Sequence, residues 1–338
     1  MVRILLQILK WLGIALVTIV VGLSLYVWRT WDRVWDAPLP DVHASTDPTV
    51  IARGEYLVFG PAHCVECHTA SSEVFERYVN GGERPPLAGG YKFAAPPLGA
   101  LYSRNITPDP ETGIGRYTDG QIARMLRYSV KPDGRASIKP LMQYADMSDE
   151  DLTAIVSFLR SQQPVRNPVP DNEWTMVGKA IKSLAPTFKP RVDAEIHPTK
   201  TSPPAQPTRA RGEYLVRSVG DCSGCHSPLD QLTFSPNGPE FSGGVAIEPR
   251  VLPNVDHGVW FKPPNLTPLA GSALMRFPDR ETFVARFQKG GRKYPASPMP
   301  WDCYSRLTTE DAGAIYDFLH SLPPAGGPSP QEPTVRQE

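Results

Sequence analysis

Cys64-Val65-Glu66-Cys67-His68 returns 158 residues later as Cys222-Ser223-Gly224-Cys225-His226. At the same offset, Ala52-Arg53-Gly54-Glu55-Tyr56-Leu57-Val58 returns letter for letter as Ala210-Arg211-Gly212-Glu213-Tyr214-Leu215-Val216. Nothing is inserted between heptapeptide and cysteines in either copy. Further on, Gly89-Gly90 is echoed by Gly243-Gly244, and Asn105-Ile106-Thr107-Pro108 by Asn265-Leu266-Thr267-Pro268. Both halves close on a capped helix. Ser148-Asp149-Glu150-Asp151 opens one and Thr308-Thr309-Glu310-Asp311 the other, each an N-cap with an acidic residue at the third helical position. Leu152, Ile155, Phe158 and Leu159 follow at helical spacing in the first, Ile315, Phe318 and Leu319 in the second, before Pro164 and Pro323-Pro324 stop them. A solenoid unit runs about 20–50 residues. This repeat is the size of a domain.

In Cys-x-x-Cys-His, two thiols add to the vinyl groups of one haem and the histidine binds its iron. The tight spacing brings both sulfurs to one porphyrin edge while the imidazole swings beneath the metal. Four of the five cysteines are used this way. Zinc also takes paired Cys-x-x-Cys motifs, but about 15–20 residues apart in a typical ribbon. Here the pairs lie 158 residues apart, each followed at once by histidine. A thioredoxin-like redox pair suits one motif and not two. The expectation is two covalently bound haem c groups, one on Cys64, Cys67 and His68, the other on Cys222, Cys225 and His226. Cys303, the odd cysteine, is expected as a small buried hydrophobe.

The expected architecture is all-α, with two tandem domains at 48–165 and 206–325, a linker at 166–205 and a disordered tail at 326–338. The 38 prolines fit loops wrapped around a cofactor better than a sheet, and no convincing period-2 strand is visible. Thr118 caps a mid-domain helix, with Gln121 completing a capping box and Ile122, Met125 and Leu126 forming its stripe. Its counterpart begins near Asp279, with Phe283 and Phe287. One short helix is expected in the linker, from Glu173 to Leu184.

Residues 11–28 carry no charge, long enough to cross a bilayer core at about 1.5 Å per residue. Trp28, Trp31 and Trp35 cluster at one end as interfacial aromatics do. A secretory signal has an apolar region of about 7–15 residues and a small-residue cleavage site close behind. Here Arg29-Thr30-Trp31-Asp32-Arg33 follows, so 1–30 is expected to be a single-pass anchor in a bacterial inner membrane. Arg3 and Lys10 precede the span, Arg29 and Arg33 follow it, and the positive-inside count is nearly a tie. Covalent c-type attachment takes place outside the cytoplasmic membrane, which sets the haem domains in the periplasm.

Each iron needs a sixth ligand, and a methionine thioether is usual in electron-carrying c haems. In the second half the expected residue is Met299, in Pro298-Met299-Pro300, ahead of the Thr308 cap; Met275 is expected to be packing. In the first half, Met142 lies 74 residues after His68, as Met299 lies 73 after His226. Met147 sits just before cap Ser148, where a hydrophobic staple belongs. Strict alignment of the closing helices sets Lys139 opposite Met299, and a neutral amine also binds iron. Met142 is the preferred reading. His63 is expected at a surface or edge, and His43, His197, His257 and His320 have no matching partners.

Arg53 to Val58, Cys64 to His68, Ser103-Arg104-Asn105-Ile106-Thr107-Pro108-Asp109, Thr112-Gly113-Ile114-Gly115 and Ser148 to Leu152 together resemble bacterial dihaem class I cytochromes c. They also resemble the multihaem cytochrome subunits of periplasmic alcohol, aldehyde and related dehydrogenases. The resemblance covers most of 48–325. It implies a distal ligand on a proline-x-methionine segment before the last helix, which fits Pro140-Leu141-Met142; that family usually has proline next, where this chain has Gln143. Alcohol dehydrogenase cytochrome subunits commonly bind three haems, and this chain has two motifs. The implied function is single-electron transfer without catalysis. The donor would be a membrane dehydrogenase or quinol-oxidising complex, and the acceptor a terminal oxidase or soluble cytochrome. The alternative is a dedicated cytochrome subunit of one dehydrogenase or respiratory complex. A dihaem peroxidase would need an open sixth site with acid–base residues nearby, against which two methionines in matching places argue. No nucleotide loop, catalytic triad or nucleic-acid face is present, and the formal net charge is zero.

Overall fold

The computed structural model of the chain describes residues 2–138, 142, 144–193, 196–230, 236–246, 260–292, 294 and 297–329. It is helix-rich, with few strands. The first helix, α1 (Val2–Thr30), is exposed along nearly all its length and meets the rest only near its end; Val27 is its one buried residue. At 1.5 Å per residue its length is about 43 Å, more than the roughly 30 Å of a bilayer core. Residues 31–47 then run back over the first half. Trp35 N donates to the Gly134 carbonyl at 2.8 Å, Ala44 N to the Asp119 carboxylate at 2.7 Å, and Ser45 N to the Ser157 hydroxyl at 2.8 Å.

The first half comprises α2 (Pro48–Phe59), α3 (Cys64–His68), α4 (Ser72–Val79), α5 (Asp119–Tyr128) and α6 (Asp149–Ser161). Asp47 caps α2, with Pro48 at the first position where its missing N–H costs nothing. The Thr118–Gln121 capping box opens α5, and Ser148 caps α6 as its sequence suggests. After α7 (Met176–Leu184), the second half follows the same order, except that it has no counterpart of α4 among the described residues and adds a short helix before the last one. It runs through α8 (Arg209–Tyr214), which continues as a π-helical turn over Leu215–Val219, then α9 (Cys222–His226), α10 (Arg280–Gln288), α11 (Trp301–Tyr304) and α12 (Thr309–His320).

The core is built on two equivalent crossings, α2 over α6 and α8 over α12. At each, one glycine lets the backbones touch. A Cβ on Gly54 would lie 1.9 Å from the Ala154 carbonyl oxygen, and a Cβ on Gly212 would lie 1.9 Å from that of Ala314. Phe59 packs edge-on to Phe158 in the first half and Phe241 to Phe318 in the second. Buried residues of both halves form one continuous cluster.

The halves also exchange a reciprocal contact. Arg53 clamps Asp151 through two 2.8 Å bonds, and Tyr214 of the other half donates to that carboxylate at 2.8 Å. Arg211 clamps Asp311 at 2.7 and 2.9 Å, and Tyr56 of the first half donates there at 2.6 Å. The acidic residues at the third position of α6 and α12 are thus salt-bridge partners rather than capping groups. Burial alone would push Asp311 up. Arg211, Tyr56 and Arg53 outweigh it and hold the carboxyl below its ordinary value.

Several expectations need correction. Strands are present: β1 (Lys92–Ala95), β2 (Gly99–Tyr102) and β3 (Glu173–Trp174) form an antiparallel sheet, with Lys92 opposite Tyr102 and Gly99 opposite Trp174. Four-residue strands are too short to show alternation, and β3 is brought in from far along the chain. The linker helix accordingly starts at Met176, capped by Thr175, and not at residue 173. The linker itself is packed: Arg104 donates to the Pro170 carbonyl at 2.9 Å, and Asp149 N to that of Thr199 at 2.9 Å. The tail holds on through Ser329, which is buried and accepts from Asn265 N at 2.9 Å; 330–338 lie outside the described residues. Met275 is 46% exposed and not packed.

Candidate functional site

α3 and α9 are single-turn helices that carry the two Cys-x-x-Cys-His sequences. Each is entered through a left-handed residue, His63 at φ 41° and Asp221 at φ 47°. Histidine and aspartate are among the residue types that tolerate this conformation. The sharp entry turns the chain so that both cysteines and the histidine fall within one turn.

His68 Nδ1 lies 2.7 Å from the Arg104 carbonyl oxygen, and His226 Nδ1 lies 2.8 Å from that of Pro264. A carbonyl only accepts, so each Nδ1 carries the proton and each Nε2 keeps its lone pair. A backbone partner of this kind fixes the ring and tautomer of a metal-binding histidine. Burial lowers both imidazoles below their ordinary value, opposed by that same carbonyl bond.

The Asn-x-Thr-Pro motif explains why those carbonyls are in place. Asn105 accepts from Thr107 N at 3.0 Å and donates to the Val165 carbonyl at 2.8 Å. Asn265 accepts from Thr267 N at 2.7 Å and donates to the Ala325 carbonyl at 2.7 Å. Each asparagine therefore ties the loop holding the acceptor carbonyl to the strand of chain leaving the closing helix. The paired glycines pass beside the histidine turn: Gly89 N donates to the His68 carbonyl at 2.8 Å and Gly243 N to that of His226 at 2.9 Å. Gly89 has φ +64°, and a Cβ there would meet the Arg104 carbonyl at 2.4 Å.

Burial pushes the Cys64 and Cys222 thiols up to about 12 and Cys225 up to about 11, and raises Cys67 too. They are neutral thiols, not preformed thiolates. Two tyrosines that the sequence reading missed stand beside them. Tyr144 donates to the Ala62 carbonyl at 2.7 Å and Tyr304 to that of Gly220 at 2.9 Å, and burial raises both phenols. They lie 160 residues apart, the offset of the closing helices, and that repetition was the available signal.

Met142 and Met299 are both half-buried and packed against the central cluster. Met147 is wholly buried, as a staple would be, with Leu307 buried in the corresponding place. Lys139, Pro140, Leu141, Gln143 and His257 lie outside the described residues. His63 sits edge-on to Tyr304 of the other half, centroids 5.9 Å apart, and Cys303 is buried. His43 and His197 are exposed.

Glu66, inside the first motif, reaches Arg292 of the second half at 2.7 Å, with Asp302 3.5 Å from the same guanidinium. Burial pushes the Glu66 carboxyl up to about 7, against the pull of Arg292. The first motif is therefore tied to the segment that leads to Met299.

The donor set fits haem c. It offers one free imidazole nitrogen and two neutral thiols per site. Beside His68, Thr69 Oγ1 is buried without a hydrogen-bond partner, a polar atom that the edge of a bound group can satisfy. Among the described residues no three His, Cys, Asp or Glu side chains converge as a protein-only zinc site requires.

No protein-family model matches the chain. Curated proteins do. The alcohol dehydrogenase (quinone) cytochrome c subunit of Gluconobacter oxydans (strain 621H) is 37% identical over 198 residues, 55% of this chain and 37% of that protein. The fructose dehydrogenase cytochrome subunit of Gluconobacter japonicus is 30% identical over 294 residues, 85% of this chain and 55% of that protein. A diheme cytochrome c-type protein of Cereibacter sphaeroides is 27% identical over 228 residues, 62% of this chain and 71% of that protein. The chain thus spans only 37% and 55% of the two dehydrogenase subunits. It is a relative of the cytochrome c subunits of alcohol, fructose and gluconate dehydrogenases and of a diheme c-type cytochrome.

Proposed function

We propose that this protein is a membrane-anchored dihaem c-type cytochrome that passes single electrons on the periplasmic side of a bacterial inner membrane. The carrying observation is the repeated one: a Cys-x-x-Cys-His turn whose histidine Nδ1 is held by a backbone carbonyl, in both halves. Haem c, when bound, supplies a one-electron iron couple.

Every other contribution comes from the chain. Cys64 and Cys67 would hold one group by thioether bonds and Cys222 and Cys225 the other. His68 and His226 would present Nε2 to the metal, with the Arg104 and Pro264 carbonyls keeping each ring from turning. Met142 and Met299 would each supply a thioether ligand. Both methionines pack partly buried against the central core, which supports this reading. The shared core and the Tyr56–Asp311 and Tyr214–Asp151 contacts hold the halves in one arrangement, so an electron entering one site has a fixed route to the other.

The contacts at the end of α1 support reading that helix as a retained anchor rather than a signal. Thr30 Oγ1 meets Ser183 Oγ at 2.5 Å, and Asp32 bridges Lys182 at 3.0 Å and Arg135 at 2.8 Å. A segment made for removal gains nothing from docking on the mature body.

The relatives' names, cytochrome subunits of dehydrogenases, support a dehydrogenase as electron donor; the acceptor in this reading is a terminal oxidase or soluble cytochrome. The test is ligand closure in the full-length protein. The reduced form should bind carbon monoxide poorly and turn over little hydrogen peroxide, while membranes containing a terminal oxidase oxidise it rapidly. Fast carbon monoxide binding with peroxidase turnover would favour an enzyme instead.

A further inference from the structure

Helix α7 is amphipathic in the opposite sense from a helix packed on a protein core. At 100° per residue, Met176, Ala180, Leu184, Val177 and Ile181 fill one arc of about 140°. Met176 is 73% exposed, Val177 56% and Leu184 46%. The buried residues of the helix, Gly178, Lys182 and Ser183, all lie outside that arc. Those polar and small residues attach it to the body. A Cβ on Gly178 would lie 2.2 Å from the Leu98 carbonyl oxygen. Lys182 bridges to Asp32 and lies over the rings of Trp31 and Trp174, at 5.2 and 5.3 Å from their centroids. An arrangement that turns Met176, Val177 and Leu184 outward and a lysine inward is the reverse of a water-facing helix and points to an apolar medium outside.

Position identifies that medium. The inner face of α7 grips the last residue of α1 and the two residues after it, Thr30, Trp31 and Asp32. This is where the apolar helix ends, among Trp28, Trp31 and Trp35. The outward arc of α7 is thereby held at the end of the exposed apolar helix α1, and the exposed Lys189 follows it in the chain. We propose that α7 lies in the headgroup layer of the bilayer that α1 crosses, its Met176–Leu184 arc turned into lipid. The proposal rests on reading α1 as an anchor.

An interfacial helix of nine residues binds weakly alone, but tethered to a membrane span it needs little affinity of its own. It gives the body a second point of attachment and so fixes its tilt. The attachment reaches the first candidate haem site. β3 precedes α7 and pairs with β2, and the Arg104 side chain donates to the Pro170 carbonyl while its own carbonyl holds His68.

The test uses full-length protein in vesicles of phosphatidylcholine and phosphatidylglycerol, with one nitroxide label per variant, the unsubstituted chain serving as blank for Cys303. Val177→Cys and Leu184→Cys report on α7, Val21→Cys within α1 is the lipid reference, and Glu76→Cys on α4 is the water reference. Power-saturation spectra are read with oxygen, which concentrates in lipid, and with a water-soluble nickel chelate. Labels at 177 and 184 should relax more with oxygen than with nickel, matching 21 and inverting the ratio at 76. Water-like labels at 177 and 184 beside a lipid-like label at 21 would overturn the proposal and leave the anchor standing. A water-like label at 21 would overturn the anchor reading itself. Immobilised labels at 177 and 184, closed to both reagents, would mean that a second copy or a partner protein covers the arc, and would overturn the lipid assignment.

Discussion

Asp311 and Asp151 each take a bidentate arginine from their own half and a tyrosine hydroxyl from the other. A hydrogen bond to a charged group is worth about 1.5–3 kcal/mol. Tyr56→Phe and Tyr214→Phe should each lower unfolding stability by that amount in urea titrations. Arg211→Met leaves a buried carboxylate without its counter-ion, and should cost about 3–5 kcal/mol. The pH dependence follows from sign. The folded Asp311 pKa is depressed, so its contribution is complete above the unfolded value near 4 and is lost as pH falls through the folded value. Wild-type stability should therefore drop below about pH 4, and more steeply than that of Asp311→Asn, measured as urea midpoints across that range. At the candidate sites, Met142→Ala and Met299→Ala should each remove about half of the weak long-wavelength band of iron–thioether coordination in the oxidised protein. An unchanged band in Met142→Ala would move the ligand elsewhere in the first half.

Elements show what a single sequence carries. The caps of α5, α6 and α12 are local chemistry, and each stands where its residues indicated. The heptapeptide's repetition was plain, but its reason was not. Gly54 and Gly212 recur because two backbones cross there, and a contact between residues 54 and 154 leaves no trace at either position alone. β3 was illegible because its partner strand lies more than 70 residues away. The spacing of α7 gave a helix, but periodicity marks an apolar face without saying whether it turns inward or outward. Gly54→Ala and Gly212→Ala should each cost about 3 kcal/mol or more, because a rigid carbonyl occupies the space of the new methyl. Thermal melts of the two variants should show similar losses; a neutral substitution would mean that the crossings are looser than described. For α1, alkaline carbonate should leave the full chain in the membrane, whereas release would contradict a retained anchor.

Across the whole molecule, a duplicated sequence yields halves that share one core. Neither Tyr56 nor Tyr214 revealed this in the sequence, since a repeat offset says which residues correspond and not which ones touch. The expected consequence is a single unfolding transition, with far-ultraviolet dichroism and haem absorbance falling together in urea. Two separated transitions would show that the halves are stable independently. All of this presumes that both Cys-x-x-Cys-His turns carry haem, and the intact mass of the denatured full-length chain, purified from membranes, reads that number out. The mass should equal the polypeptide, α1 included, plus two covalently attached haems. A mass with one haem, or with none, would contradict the assignment of both sites.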